Sequence, residues 1–169
     1  MRRASRLLFC TALFAAALGL TAQAALADSP SFHYANASVS TSTGALSVDF
    51  KLTGLGTATT ADINLTADAS ATYQCWNNGG KHPKAGNKTT VQGPLAKGGT
   101  FPVRNGQVTA TITAGPLSQG SFTCPSGQSL YLEGVSYSNI TISTTEGGGA
   151  STPTTPSSIS KTGLHIFIQ

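Results

Sequence analysis

Apolar and polar residues alternate along several stretches of the chain. Every second residue of 46–52 is apolar, and the residues between them are polar. The stretches 62–75 and 107–114 repeat this pattern. A period of two is typical of β-strands with one buried face, and no stretch after residue 27 shows the 3.6-residue apolar period of a helix. The pattern therefore predicts β structure.

Residues that favour turns separate the alternating stretches, at intervals of about 8 to 12 residues. Asn105-Gly106 predicts a hairpin turn. The run 62–75 is long for one strand, so a bend or division near Ala67 to Ala69 is expected. Gly134 predicts a bulge where the alternation changes phase. We predict an all-β fold, an antiparallel immunoglobulin-like β-sandwich of seven to nine strands, with a small closed barrel as the alternative.

The first 27 residues have the pattern of a cleaved signal peptide. Three arginines among the first six residues precede an apolar run over 7–20, and small residues at 25–27 suit a cleavage site. The apolar run is too short to span a membrane, and no second long apolar segment follows it. The sequence therefore predicts a secreted, extracellular protein without a membrane anchor.

Removal of residues 1–27 changes the charge of the chain. Three of the ten Lys and Arg residues lie in that segment, so seven remain against six Asp and Glu, and the formal charge falls from +4 to +1. A nucleic-acid binder needs a broad basic surface, so no nucleic-acid partner is expected. A single domain over 28–145 is predicted, with a Gly/Ser/Thr/Pro-rich loop or linker at 146–158 and a C-terminal strand within 159–169.

Two cysteines remain after cleavage, Cys75 and Cys124. Because an exported chain meets an oxidising compartment, we predict that they form a disulfide. The chain-entropy model gives about 4 kcal/mol of stabilisation for the loop that this disulfide closes. A free-thiol nucleophile is the competing interpretation.

The stretch "CWNNGGKHPKAGNK" over 75–88 carries the candidate binding site. The alternation places Trp76 on the outward face, where an exposed indole often marks a binding surface. Cations, amides and a histidine follow on the adjoining loop. The candidate ligand-binding residues are Trp76, Asn77, Asn78, Lys81, His82, Lys84 and Lys88. The alternative is structural: Trp76 caps the disulfide and the lysines keep a loop soluble.

A further stretch of the sequence resembles a known group of proteins. The run "ATYQCWNNGGKHPKAGNKTTVQGPL", followed by "RNGQVTATIT", "SFTCPSGQSL" and "VSYSNITIS", is similar to small secreted β-sandwich proteins of actinobacteria that have no assigned activity. The resemblance covers roughly 32–145. It implies export and a disulfide-bearing β domain, and it supplies no catalytic residue.

The residues favour a binding protein over an enzyme. The three histidines have no metal-ligand spacing, the six carboxylates form no evident catalytic pair, and no Gly-x-Ser-x-Gly motif is present. We therefore expect a monomeric, non-enzymatic module without a cofactor that binds an extracellular polysaccharide, cell-wall or protein ligand. A secreted protease inhibitor using the loop "TCPSGQS" is one alternative. A small-molecule carrier, similar to the apoproteins that hold antibiotic chromophores, is the other.

Overall fold

The computed structural model describes residues 29–77 and 87–168. Within these ranges eight strands and one short 3₁₀ turn, at Glu146–Gly148, follow one another along the chain. The strands are β1 (Ser31–Val39), β2 (Leu46–Thr53), β3 (Thr60–Asn77), β4 (Lys88–Pro102), β5 (Gln107–Ala114), β6 (Gln128–Thr144), β7 (Ala150–Pro153) and β8 (Ile159–Ile168). The predicted signal peptide lies outside the described residues.

The strands form two antiparallel sheets. One has the order β1-β2-β5, and the other has the order β4-β3-β6-β7, with β8 also paired to β6. Strand β3 and strand β6 are the long central strands of the second sheet, which is called the five-stranded sheet below. The predicted all-β antiparallel sandwich of seven to nine strands is thus confirmed.

The alternation in the sequence decides which face of each strand is buried. In β2 the apolar residues Leu46, Val48, Phe50 and Leu52 are fully buried. In β3 the odd-numbered residues from 61 to 75 are buried, and most of the even-numbered ones are exposed. The inward faces of the two sheets meet in one apolar core, because burying both faces against each other removes them from water together.

The predicted disulfide between Cys75 and Cys124 is confirmed, with a Cα–Cα distance of 5.6 Å. It joins the buried face of β3 to the connection between β5 and β6. The Tyr73 hydroxyl donates a hydrogen bond to the carbonyl of Leu117 in the same connection. Two side chains of β3 therefore fix this connection at two points.

The Asn105-Gly106 turn forms as predicted, but the two strands beside it do not remain paired. Both residues have positive φ angles, 51° and 71°, as a type I′ turn requires. An antiparallel bridge pairs Arg104 with Gln107. Beyond that bridge β4 joins the five-stranded sheet and β5 joins the three-stranded one, so the turn carries the chain from one layer to the other.

Of the bend or division expected near Ala67 to Ala69, the division does not occur, because strand β3 is continuous. The irregularity lies instead in its partner β6, where the register shifts between the pairs that contain Thr66 and Asp68. Asn139 of β6 takes a positive φ of 52° at this point, and its amide donates to the Asp68 carboxylate at 2.7 Å. The extra residue of this bulge thus lies in β6, while β3 continues without interruption.

The segment 146–158, for which a loop or linker was predicted, contains the 3₁₀ turn and β7. After β7, the backbone of Thr154 donates to Ile140 of β6 at 2.9 Å. The backbone of Thr155 exchanges hydrogen bonds with Ala35 and Ala37 of β1. This short stretch therefore connects the edges of the two sheets. Strand β8 then occupies Ile159–Ile168, within the segment predicted to hold a C-terminal strand.

The described part of the chain contains no helix that is long and apolar enough to cross a membrane.

Candidate functional site

The outward face of the five-stranded sheet holds a cluster of aromatic, imidazole and carboxylate side chains. Four aromatic or imidazole rings and one carboxylate meet there, supplied by β3, β6 and β8. We call this group the outer-face cluster. Its members are Trp76, Tyr131, Glu133, His165 and Phe167.

The rings of the outer-face cluster pack in a row. The imidazole of His165 stacks on Tyr131, with centroids 4.1 Å apart and planes at 6°. The Trp76 indole meets the His165 ring edge to face at 4.5 Å. Phe167 also contacts Tyr131, at 5.6 Å between centroids. Offset-stacked and edge-to-face contacts are the favourable geometries of such rings, so these contacts add to the stability of the outer face.

Glu133 connects the polar edges of two of these rings. Its Oε1 accepts a hydrogen bond from Trp76 Nε1 at 2.7 Å and lies 2.9 Å from His165 Nδ1. The Glu133 side chain is only 18% exposed, whereas that of His165 is 48% exposed. The carboxylate is therefore held in one orientation by two partners, with the rings around it.

A bulge in β8 brings His165 over Glu133. Leu132 pairs with Ile166 and Gly134 pairs with Thr162, so a single β6 residue faces three residues of β8. Within this bulge His165 has a φ of 49°, a left-handed conformation that costs a non-glycine residue about 1 kcal/mol. Bulges of this kind redirect a side chain, here towards the carboxylate.

Gly134 allows β8 to approach β6 closely beside the cluster. A Cβ at this position would lie 3.0 Å from the backbone carbonyl oxygen of Lys161 in β8. Since that oxygen belongs to the backbone, a side chain at residue 134 would push the strand away. The sequence predicts a bulge at Gly134, and the register of β6 shifts on both of its sheet partners here.

Two polar clefts continue from the cluster along the same face. The first, of about 360 Å³, is lined among others by Gln74, Lys88 and Glu133. The second, of about 390 Å³, is lined among others by Asp68 and Gln92. Both include Ser70 and Ser136, so the clefts adjoin. Together with the cluster they form a surface that we call the outer-face groove.

The structure describes three of the seven residues predicted for the binding site: Trp76, Asn77 and Lys88. Trp76 lies on the outward face, as predicted, where it is partly buried by the cluster. Lys88 is exposed and lines the first cleft. Asn77 is exposed at the end of β3, and its side-chain oxygen accepts a hydrogen bond from Gln128 at 2.8 Å. Four of the predicted residues, Asn78, Lys81, His82 and Lys84, lie outside the described residues.

The position of Trp76 argues against the alternative in which its indole caps the disulfide. Cys75 belongs to the buried face of β3, and the ring contacts of Trp76 with Tyr131 and His165 lie on the opposite face. The indole therefore packs over the neighbouring strands of its own sheet, on the side away from the sulfur atoms.

Four members of the cluster, Tyr131, Glu133, His165 and Phe167, were not predicted from the sequence. A signal was present, because Tyr131 and Glu133 alternate with buried Leu132, and His165 and Phe167 alternate with apolar residues of β8. This alternation places all four on outward faces. It does not show that β6 pairs with both β3 and β8, and that pairing is what brings them to Trp76.

The pKa values that shift clearly belong to the core. Burial raises the pKa of Tyr73, and burial together with the nearby Tyr73 raises the pKa of Tyr137 to about 12. The Tyr137 hydroxyl is satisfied there by the carbonyl of Gly44 at 2.7 Å. These tyrosines are structural groups of the sandwich interior, separate from the outer-face groove.

No group of three or more His, Cys, Asp or Glu residues that could hold a metal ion occurs within 29–77 and 87–168.

No protein-family model matches the chain, and no curated protein or solved structure shows significant similarity to it.

Proposed function

We propose that this protein is a secreted, non-enzymatic binding module and that its extracellular ligand lies on the outer-face groove. The observation that carries the proposal is the position of the outer-face cluster beside the first polar cleft. Rings provide apolar contact area at low conformational cost, and the clefts provide hydrogen-bonding groups close by. A few polar groups that converge next to aromatic surface are the usual composition of a ligand site.

Phe167 supports this assignment most directly. It is 52% exposed, and among the described residues only Tyr34, at 40%, is another exposed large hydrophobic side chain. A phenylalanine left half in water beside the Tyr131 ring costs solvation free energy in the unbound protein. A ligand that covers it would recover that free energy, which is a reason for the cluster to bind.

The two alternative functions have less support. A carrier of an apolar chromophore needs an apolar cavity, and most of the residues that line the two clefts described above have polar side chains. For a protease inhibitor the loop around Cys124 would have to be extended. In the structure the backbone of Gln128 donates to Pro125 at 3.1 Å, which closes a tight turn instead.

The experiment compares Phe167→Ala with Tyr34→Ala as the matched control. Both substitutions remove an exposed aromatic ring from a strand, but Tyr34 lies on β1 in the other sheet. The mature protein is tested for cosedimentation with insoluble polysaccharides and cell-wall preparations. Trp76 is the only tryptophan of the chain, so its fluorescence reports directly on the cluster.

We expect Phe167→Ala to weaken binding roughly fivefold to tenfold, about the free energy of one aromatic contact. Tyr34→Ala should bind as the unmodified protein does, and the bound ligand should change the Trp76 emission. Equal loss in both variants, or binding that leaves Trp76 emission and the Phe167→Ala affinity unchanged, would place the ligand elsewhere. An absence of binding to every polysaccharide, wall preparation and wall protein would reject the proposed function.

A further inference from the structure

We infer that the ligand is an uncharged polysaccharide chain that lies lengthwise in the outer-face groove, with one end of the bound segment on the outer-face cluster. This inference rests on the proposed function and specifies its ligand class. It follows from three properties of the groove: its length, the chemistry of its lining and its place on the face of the sheet.

The groove is elongated along β3. It begins at Trp76 and Glu133, passes Ser70 and Ser136, which both clefts share, and ends beside Asp68. Eight residues separate the two ends on β3, which corresponds to about 26 Å at the usual rise of a strand. A compact metabolite would fill one cleft and leave the other empty, whereas an extended polymer occupies both.

Many of the residues that line the clefts have side chains that both donate and accept hydrogen bonds. Besides the two shared serines, Thr72, Gln74 and Gln92 contribute a hydroxyl and two amides. Sugar hydroxyls also donate and accept, so hydroxyl and amide side chains match them in either orientation. At the end of the groove the rings of the cluster offer flat apolar surface for the C–H face of a sugar ring.

Among the described residues, the charges along the groove are mixed. Lys88 and Glu133 line the first cleft, and Asp68 lines the second. Asp68 is already bound by Asn139, and Glu133 by Trp76 and His165. The two carboxylates would repel a polyanion. Lys88 would repel a polycation, and both carboxylates already accept hydrogen bonds from neighbouring side chains. An uncharged chain avoids both conflicts.

An extended peptide fits this surface less well than a sugar chain does. Peptides commonly bind sheets by adding a strand to a free edge, where backbone groups are unpaired. The groove is lined by residues of β3, β4, β6 and β8, and the backbones of its two central strands, β3 and β6, are paired on each side. A ligand over these two strands must therefore be recognised by side chains, and the clefts are lined by suitable ones.

The experiment measures affinity against chain length. The mature protein is titrated calorimetrically with uncharged oligomers of glucose, mannose, xylose and N-acetylglucosamine, from two to six sugars long. Polygalacturonate and chitosan serve as the anionic and cationic polymers. The variants are Phe167→Ala at the cluster, Gln92→Ala at the far end of the groove, and Lys97→Ala as the control, an exposed residue on the same strand as Gln92 that lines neither cleft.

We expect affinity for at least one uncharged series to rise with length until the chain spans both clefts. Gln92→Ala should then weaken the longest oligomers roughly threefold to tenfold and leave the shortest unchanged, as expected for one lost hydrogen-bonding side chain. Phe167→Ala should weaken all lengths alike, and Lys97→Ala should weaken none.

The outcomes separate this inference from the proposed function. Affinity that does not increase beyond two sugars, or Gln92→Ala binding long oligomers normally, overturns lengthwise binding while a ligand site at the cluster stands. Tighter binding of either charged polymer, or of a wall protein through Phe167, overturns the uncharged-polysaccharide class and leaves the binding module in place. If no probe depends on Phe167, both the inference and the proposed function fail.

Discussion

At the scale of single residues, Glu133 determines how the outer-face cluster is arranged. One oxygen of its carboxylate faces both Trp76 Nε1 and His165 Nδ1. A mostly buried acceptor that two groups share is costly to remove, because both of its hydrogen bonds are lost at once. Glu133 is therefore the residue at which the cluster can be tested without altering an aromatic ring.

We expect Glu133→Ala to lower the free energy of unfolding by about 1–2 kcal/mol and to shift Trp76 emission to longer wavelength. Glu133→Gln keeps an acceptor oxygen in place and should have a smaller effect on both. Urea unfolding followed by tryptophan fluorescence measures both quantities. Glu146→Ala, which removes another partly buried carboxylate on the same sheet's periphery, is the control. Equal effects of Ala and Gln at residue 133 would contradict the role of the shared oxygen.

The second residue-scale prediction concerns Tyr137, whose pKa is raised to about 12 mainly by burial. In the unfolded chain a tyrosine ionises near pH 10. Between pH 10 and 12 the unfolded state has therefore lost a proton that the folded state retains, and the free energy of unfolding must fall as pH rises. Tyr73, whose pKa burial also raises, acts in the same direction.

We expect Tyr137→Phe to be less stable than the unmodified protein at pH 8, by about 1–2 kcal/mol, because the Gly44 carbonyl loses its donor. Its stability should decline less steeply from pH 9.5 upward. Tyr34→Phe, which removes the hydroxyl of an exposed side chain, is the control. Urea unfolding at a series of pH values provides the comparison. Parallel curves for all three proteins would show that Tyr137 does not govern the alkaline loss.

At the scale of secondary-structure elements, the Asn105-Gly106 pair predicted a turn, and local alternation identified the strands β2, β3 and β5 and their inward residues. Alternation predicted a bulge in β6 at Gly134 but not the one at Asn139, whose positive φ accompanies the register shift against β3, a contact far away in sequence. For the same reason Tyr131 and His165 could each be assigned to an outward face, but their stacking could not be predicted.

The approach of β8 to β6 gives an element-scale prediction. Gly134→Ala places a Cβ 3.0 Å from the Lys161 carbonyl oxygen, so β8 must move or the pairing must weaken. We expect a loss of about 1–2 kcal/mol, typical of overpacking, and faster hydrogen exchange of β8 amides. Because β8 supplies His165 and Phe167, ligand affinity should fall as well.

Gly93→Ala is the matched control for this change. Gly93 lies on β4 of the same sheet, and an added Cβ would meet only Leu117 Cδ1, at 4.0 Å, an ordinary contact. Hydrogen exchange measured by mass spectrometry compares the two variants. If Gly134→Ala leaves the exchange of β8 as slow as Gly93→Ala does, the close approach of the two strands does not require glycine.

At the scale of the whole molecule, the sandwich core and the outer-face groove use opposite faces of the same central strands. Cys75 and Tyr73 face the core, and their neighbours Gln74 and Trp76 face the groove. Any change that loosens the inner face of β3 near its end should therefore alter the groove. The disulfide is the strongest constraint at this end, since it ties β3 to a connection 49 residues away in sequence.

We expect the double substitution Cys75→Ala/Cys124→Ala to lower the free energy of unfolding by about 2–4 kcal/mol, because the unfolded chain regains the conformational freedom that the cross-link removes. The buried alternation should still specify the two sheets, so the variant should retain β-sheet circular dichroism while unfolding at lower urea. Trp76, directly beside Cys75, should report the looser strand end by a change in emission before global unfolding. The unmodified protein unfolded in the presence of dithiothreitol, which reduces the disulfide, shows the effect of losing the cross-link without a substitution. An unfolding curve that is unchanged by both treatments would mean that packing of β3 alone holds this end of the sandwich and positions the groove.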